Sequence, residues 1–195
     1  MRKRIIISFI AVQLSLSGCA AILPMSVMGT AMFISDERSV GKMIDDKLIY
    51  TNIIGELSKK GGGQMFIGVT VNVLEGRVLL TGNVGSKLYI DEATKTSWAI
   101  RGVREVINEL SVEMKPIANS ANDTLIEKSI QSRLLVEKKM ISTNYKIIVN
   151  NNIAYILGIA QNEGEMNRAL HIASNAKGVS KVMNYIILKD DPRRV

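Results

Sequence analysis

The only cysteine of the 195-residue chain, Cys19, has the clearest chemistry in it. It closes Leu16-Ser17-Gly18-Cys19, behind a basic start, Arg2-Lys3-Arg4, and an apolar run from Ile5 to Leu16 broken by Ser8, Gln13 and Ser15. A cationic start and a short apolar stretch read as a secretion signal over residues 1–18. The Gly-Cys exit gives it the form of a bacterial lipoprotein cleavage box. A thiol at that position is the group to be acylated, and cleavage makes Cys19 the first residue of the mature chain. Each acyl methylene buried in a bilayer contributes about 0.8 kcal/mol, and more than one chain makes the anchoring stable. Ala20 and Ala21 follow, not an aspartate, which points to the outer membrane with the chain facing the periplasm. The apolar stretch from Ala20 to Ile34, interrupted by Pro24 and Gly29, is too short to cross a bilayer and reads as a membrane-proximal tether over residues 19–35. With no second cysteine there is no disulfide framework and no thiol metal site.

The other residues that could do chemistry are not assembled for catalysis. His171 is the only histidine and has no nucleophile or second ligand at a suggestive spacing. Asp45-Asp46 and Asp91-Glu92 are carboxylate pairs, but each is expected at a helix start, where the macrodipole favours negative charge. Gly61-Gly62-Gly63 lacks the Lys-Ser/Thr end of a phosphate loop and does not follow a strand. The expectation is a non-enzyme with no cofactor, no metal and no small-molecule substrate.

A binding surface is better marked. In the stretch around 123–141, Ile126, Ile130 and Leu134 fall at the spacing of a buried helix face. Leu125, Ser129, Ser132, Val136 and Met140 fall on other faces, among Lys128, Arg133, Lys138 and Lys139. Apolar side chains flanked by cations suit a membrane surface: the apolar groups enter the acyl boundary and the cations meet phosphates. Charge agrees with that placement. Of the formal net charge of +7, residues 36–115 contribute 11 basic against 11 acidic side chains, whereas residues 123–195 carry 11 basic against 7 acidic. The basic surplus without an aromatic platform argues against nucleic acid. Trp98, the only tryptophan, is expected in a core or between domains.

These residues are positioned by a module that occurs twice. Val78-Leu79-Leu80-Thr81-Gly82 recurs as Ala154-Tyr155-Ile156-Leu157-Gly158, and Gly102-Val103-Arg104-Glu105-Val106 as Gly178-Val179-Ser180-Lys181-Val182, both at an offset of 76. Asn108 and Asn184 keep that offset. Upstream, Asp46, Leu48, Ile49, Ile53 and Leu57 match Asp123, Leu125, Ile126, Ile130 and Leu134 one residue further apart. Near-constant spacing over a whole module means two copies of one small domain. Each copy reads as α-β-β-α-β. A helix capped by Asp45 or Asp46 (Asp123 in the second copy) precedes a hairpin turning at Glu75-Gly76 or Asn151-Asn152. A second helix then stops at Gly102 or Gly178, before a final strand. The fold class is α+β: two tandem modules, each a small three-stranded mixed sheet with two helices on one face. The first spans residues 36–115 and the second 123–195 with a short tail, joined by a linker at 116–122. In the first copy Tyr50, Thr51, Asn52 and Glu56 make the first helix look like a domain-packing face.

The element order, the glycine ending the second strand (Gly82 and Gly158), the Gly-Val-x-x-Val of the last strand and the asparagine beyond it resemble the BON domain. Two copies behind a lipoprotein box resemble dual-BON-domain outer-membrane lipoproteins of the division- and stress-associated, lipid-binding type. Asp36-Glu37-Arg38-Ser39-Val40-Gly41 and Asn122-Asp123-Thr124 are also similar to that group, and the likeness runs from about Asp36 to Leu188. The resemblance implies binding of anionic phospholipid and a role in envelope integrity under stress. It also implies that the first helix of the second copy is the lipid-contacting one; some members carry an aromatic where this chain has Leu125. Two other readings stay open: an adaptor docking on an outer-membrane assembly or cell-wall partner, and a periplasmic holdase.

Overall fold

In each copy, alternating apolar residues build two strands around a two-residue turn, and helices with apolar faces cover one side. A computed structural model describes residues 40–60, 67–113, 121–138 and 140–194. Copy one comprises α1 (Val40–Lys59), β1 (Val69–Leu74), β2 (Arg77–Val84), α2 (Lys87–Trp98) and β3 (Glu105–Val112). Copy two repeats it as α3 (Ala121–Val136), β4 (Tyr145–Asn150), β5 (Ile153–Ala160), α4 (Glu163–Ser174) and β6 (Lys181–Leu188). The sheets run β1-β2-β3 and β4-β5-β6; the first pair in each is antiparallel and the second parallel. Two mixed three-stranded sheets with two helices each are the fold the residue pattern implies. α3 starts at Ala121, inside the stretch read as linker.

The turns take the same form in both copies. Glu75 and Gly76 have φ of 49° and 73°, and Asn151 and Asn152 have 51° and 62°. Positive φ at both central residues matches the twist of a tight hairpin. The aspartates expected to cap helices do something else. Asp46 lies inside α1, and its carboxylate oxygens accept from the backbone N–H of Glu75 and Gly76, both at 2.8 Å. Asp123, in the first turn of α3, accepts from Asn151 and Asn152, both at 3.0 Å. Each aspartate ties its first helix to its own hairpin.

Two glycines expected to end strands lie within them, because β2 and β5 continue to Val84 and Ala160. Gly82 has φ of 118°, and a Cβ there would stand 1.9 Å from the Gly68 carbonyl oxygen. Gly158 makes room for the Tyr145 ring instead, whose Cδ1 would lie 2.6 Å from a Cβ. One conserved spacing thus serves two packings.

Ile49, Ile53 and Leu57 of α1 pack on Val71, Val73, Val78 and Leu80, and Ile126, Ile130 and Leu134 of α3 on Ile147, Val149 and Ile156. The alternate residues, Leu74 and Leu79 with Ile148, Tyr155, Leu157, Ile159 and Ile187, form a third cluster. The helix-free faces of the two sheets therefore meet. Copy one packs through its sheet, not through α1 as its side chains suggested. Arg77 is buried in this contact, with Nε 2.5 Å from Glu105 and Nη1 donating to the Tyr185 carbonyl at 3.0 Å. The Tyr185 hydroxyl donates to Glu109. Trp98 is absent from every core cluster and stands 52% exposed, contrary to the packing role expected of it. Asp91 and Glu92 fall past the first turn of α2, and Glu92 pairs with Lys60, so the macrodipole is not what holds them.

Candidate functional site

α3 is the element on which the expected binding residues converge. Its inner stripe, Ile126, Ile130 and Leu134, is buried, and Asp123 fixes its start to the β4–β5 turn. A helix held by one face presents the other rigidly. Leu125 is 69% and Val136 76% exposed, one near each end of the outward surface. Lys128, Ser132 and Arg133 are exposed with them, and Ser129 is half-buried. Lys138 follows the helix end and is exposed. Met140 packs against the copy-two core, so it does not continue the outward surface. Cys19 and Lys139 lie outside the described residues, as does Gly61-Gly62-Gly63.

The cations of this face meet neutral partners. Lys128 Nζ donates to Gln131 at 3.2 Å, and Gln131 in turn donates to Glu127 at 3.1 Å. Arg133 Nη1 donates to the Asn175 carbonyl at 3.2 Å. Neither charge is neutralised by these bonds, and both remain open to an anion. Two cations at the C-terminal end of copy two are paired instead. Arg194 pairs with Glu75, and Arg193 with Asp191 and Glu105. Part of the positive excess of the second copy therefore serves its junction with the first, a division that composition could not reveal.

Three features were missed. Leu135, 70% exposed, adds a third apolar side chain to α3; it was hidden because it follows the core residue Leu134. Glu165 is buried, accepting from the Tyr145 hydroxyl at 2.8 Å, Gln161 N–H at 3.1 Å and Ile141 N–H at 3.4 Å. Burial, then the Glu165 hydrogen bond and charge, push the Tyr145 hydroxyl pKa well above the usual tyrosine value. Asn162-x-x-Glu165 is a capping-box spacing and could have flagged it: the Asn162 side chain accepts from Glu165 N–H at 3.0 Å. Here the glutamate serves the loop before β4, holding the base of α3. The third feature is a groove of about 530 Å³ between α3 and β4.

His171 lies exposed on α4 with Asn175 as its side-chain neighbour. Among the described residues no group of His, Cys, Asp or Glu is placed to hold a metal, and no helix is long and apolar enough to cross a membrane.

The profile of the BON domain matches residues 45–114 and again 122–190. Among similar sequences, an uncharacterized protein in the gshII 5′ region of Anaplasma centrale is 36% identical over 77% of this chain and 99% of its own length. Outer membrane lipoprotein DolP of Haemophilus influenzae is 30% identical over 86% of this chain and 87% of its own. Osmotically-inducible protein Y of Escherichia coli is 25% identical over 77% and 76%.

Proposed function

This chain belongs to the BON-domain family, with two copies of the domain, and from that premise we propose that it is a non-enzymatic envelope lipoprotein binding anionic phospholipid through α3. Cys19 carries the acyl anchor at the outer membrane, facing the periplasm, and the bound protein supports envelope integrity under stress. The observation that carries the reading is the outward face of α3, where Leu125 and Val136 stand exposed beside Lys128 and Arg133. Such a face gains twice at an anionic bilayer. Apolar side chains leave water at about 25 cal/mol per Å², and each cation near the surface adds about 1 kcal/mol. Those gains are modest for a free protein. A lipid anchor at Cys19 turns the contact into an intramolecular one, so weak binding suffices. The relatives' names, an outer membrane lipoprotein and an osmotically-inducible protein, support the same compartment and the link to stress.

Co-sedimentation of the soluble form, Asp36 to Val195, with vesicles tests the reading. Vesicles containing phosphatidylglycerol should retain it and pure phosphatidylcholine should not. Exchanging Lys128, Arg133 and Lys138 for glutamate should abolish retention. Equal binding to both vesicle types, or retention by the triple variant, would overturn the assignment of α3.

A further inference from the structure

The groove beside α3 lies at an open strand edge. β4 is the outer strand of its sheet and pairs only with β5. The two-residue turn makes Asn150 and Ile153 a hydrogen-bonded pair, and alternation along an antiparallel ladder then turns the backbone groups of Lys146 and Ile148 toward β5. Ile147 and Val149 point theirs the other way, away from the sheet. The Tyr145 N–H is taken by the Ser142 carbonyl, which closes the ladder at that end. No bond to the N–H of Ile147 or Val149 from the open side occurs among the described residues.

One wall of the groove is Tyr145 and Ile147 on β4; the other is Lys128, Gln131 and Leu135 on α3. Leu135 stands on the β4 side of the helix, whereas Leu125 and Val136 stand on the side away from it, one hundred degrees per residue being the helical step. The lining thus offers apolar surface, one cation and no carboxylate among the described residues. The described residues beside β1 in copy one form a smaller hollow. It is about 290 Å³, with Lys146 of copy two among its lining residues and Lys47 over the Tyr50 ring at 5.1 Å.

We propose that this groove binds an extended peptide segment by strand addition to β4, with apolar side chains against Leu135 and Ile147 and a carboxylate at Lys128. Backbone bonds to Ile147 and Val149 supply affinity, and the α3 wall selects alternate side chains. The occupant is an extended segment because the open positions on β4 are main-chain donors and acceptors in a row. It is acidic because the sole charge in the lining is a cation.

Fluorescence anisotropy of the mature lipidated protein in phosphatidylcholine nanodiscs tests the proposal. The probe is a labelled peptide as long as β4, 6 residues, alternating valine and glutamate. It should bind saturably. Methylating alternate peptide nitrogens on the pairing edge should weaken binding about tenfold, since main-chain bonds are removed. Leu135→Glu should weaken it similarly, and Leu125→Glu should leave it unchanged; both side chains are exposed, so both variants fold. Absence of binding, equal binding of the methylated peptide, dependence on Leu125 in place of Leu135, or binding only with anionic lipid would each overturn it. Retention of the unsubstituted protein by anionic vesicles, with no peptide bound, separates failure here from failure of the lipid assignment.

Discussion

Glu75 and Arg194, 119 residues apart in the chain, meet in a two-pronged ion pair with both N–O distances at 2.9 Å. Glu75 is the first turn residue of the copy-one hairpin, and Arg194 ends the short 3-10 turn Pro192–Arg194 after β6. Lys42 of α1 joins them, 3.5 Å from the Glu75 carboxylate and 3.3 Å from the Arg194 carbonyl. The C-terminal end of copy two thus closes over the turn of copy one, beside the contact between the sheets.

Arg194→Ala should loosen that closure. Glu75 is buried, and loss of its main partner costs about 2–4 kcal/mol. Burial opposes its charged form, but the Arg194 hydrogen bonds and charge, with Lys42, outweigh it and hold the carboxyl below the ordinary glutamate value. A lowered folded value stabilises the protein above the unfolded value, about 4.3, and the contribution is lost as pH falls through the folded one. Urea unfolding across the acid range should therefore show the wild type and Arg194→Ala converging at low pH. Parallel curves would remove the pair from the account.

The Asp46 and Asp123 staples predict matched losses. Alanine at either leaves two turn amides without their acceptor, costing about 2–4 kcal/mol. Asparagine keeps one acceptor oxygen and should lose roughly half as much. Chemical denaturation gives the series. Asp123→Ala should also lower vesicle retention, because it frees the start of α3, whereas Asp46→Ala should not.

These aspartates mark where the sequence was legible and where it was not. Their recurrence was plain, and so were the core stripes Ile49-Ile53-Leu57 and Ile126-Ile130-Leu134, because burial imposes a helical period that residue types record. Their partner was not, since an aspartate near a helix start looks the same whether it accepts from its own helix or from a turn 29 or 30 residues on. The sheet-to-sheet contact was hidden for a related reason. Leu74, Leu79 and Ile159 lie in strands expected to be covered on one face only, and nothing local says that the other face packs on another copy. Trp98 was misplaced because bulk and apolarity favour burial without requiring it. On α3, the period located Leu125, Lys128 and Arg133, while the groove needed the strand order as well.

The paired glycines after α2 and α4 differ in tolerance. Gly102 and Gly178 have φ of 93° and 96°, so alanine is strained at both. A Cβ on Gly102 would meet Ile49 Cδ1 at 3.1 Å, and one on Gly178 would meet Ile126 Cδ1 at 2.8 Å. Gly178→Ala should be the more destabilising by calorimetry, by about 1 kcal/mol. Adding Ile126→Val removes the offending methyl, so the double variant should lose less than the sum of the singles. Simple additivity would show that the backbone alone sets the cost.

Alkaline pH should unfold the protein in a single step. Burial raises the hydroxyl pKa of Tyr145, Tyr155 and Tyr185, and the carboxylate of Glu165 adds to it at Tyr145 while that of Glu109 adds at Tyr155 and Tyr185. The unfolded chain releases these protons near about 10. Below that both states are protonated and the stabilisation is complete; as pH rises beyond it, only the unfolded chain ionises, and stability falls toward the folded values. With exposed Tyr50 and half-buried Tyr89 replaced by phenylalanine, tyrosinate absorbance and loss of circular dichroism should therefore rise together. Tyr145→Phe removes one proton from this linkage and one donor from Glu165. It should lower stability at neutral pH by about 1–3 kcal/mol yet flatten the alkaline decline. Stepwise tyrosinate formation in a protein still folded would contradict the arrangement, because it requires hydroxyls that reach water before the core opens.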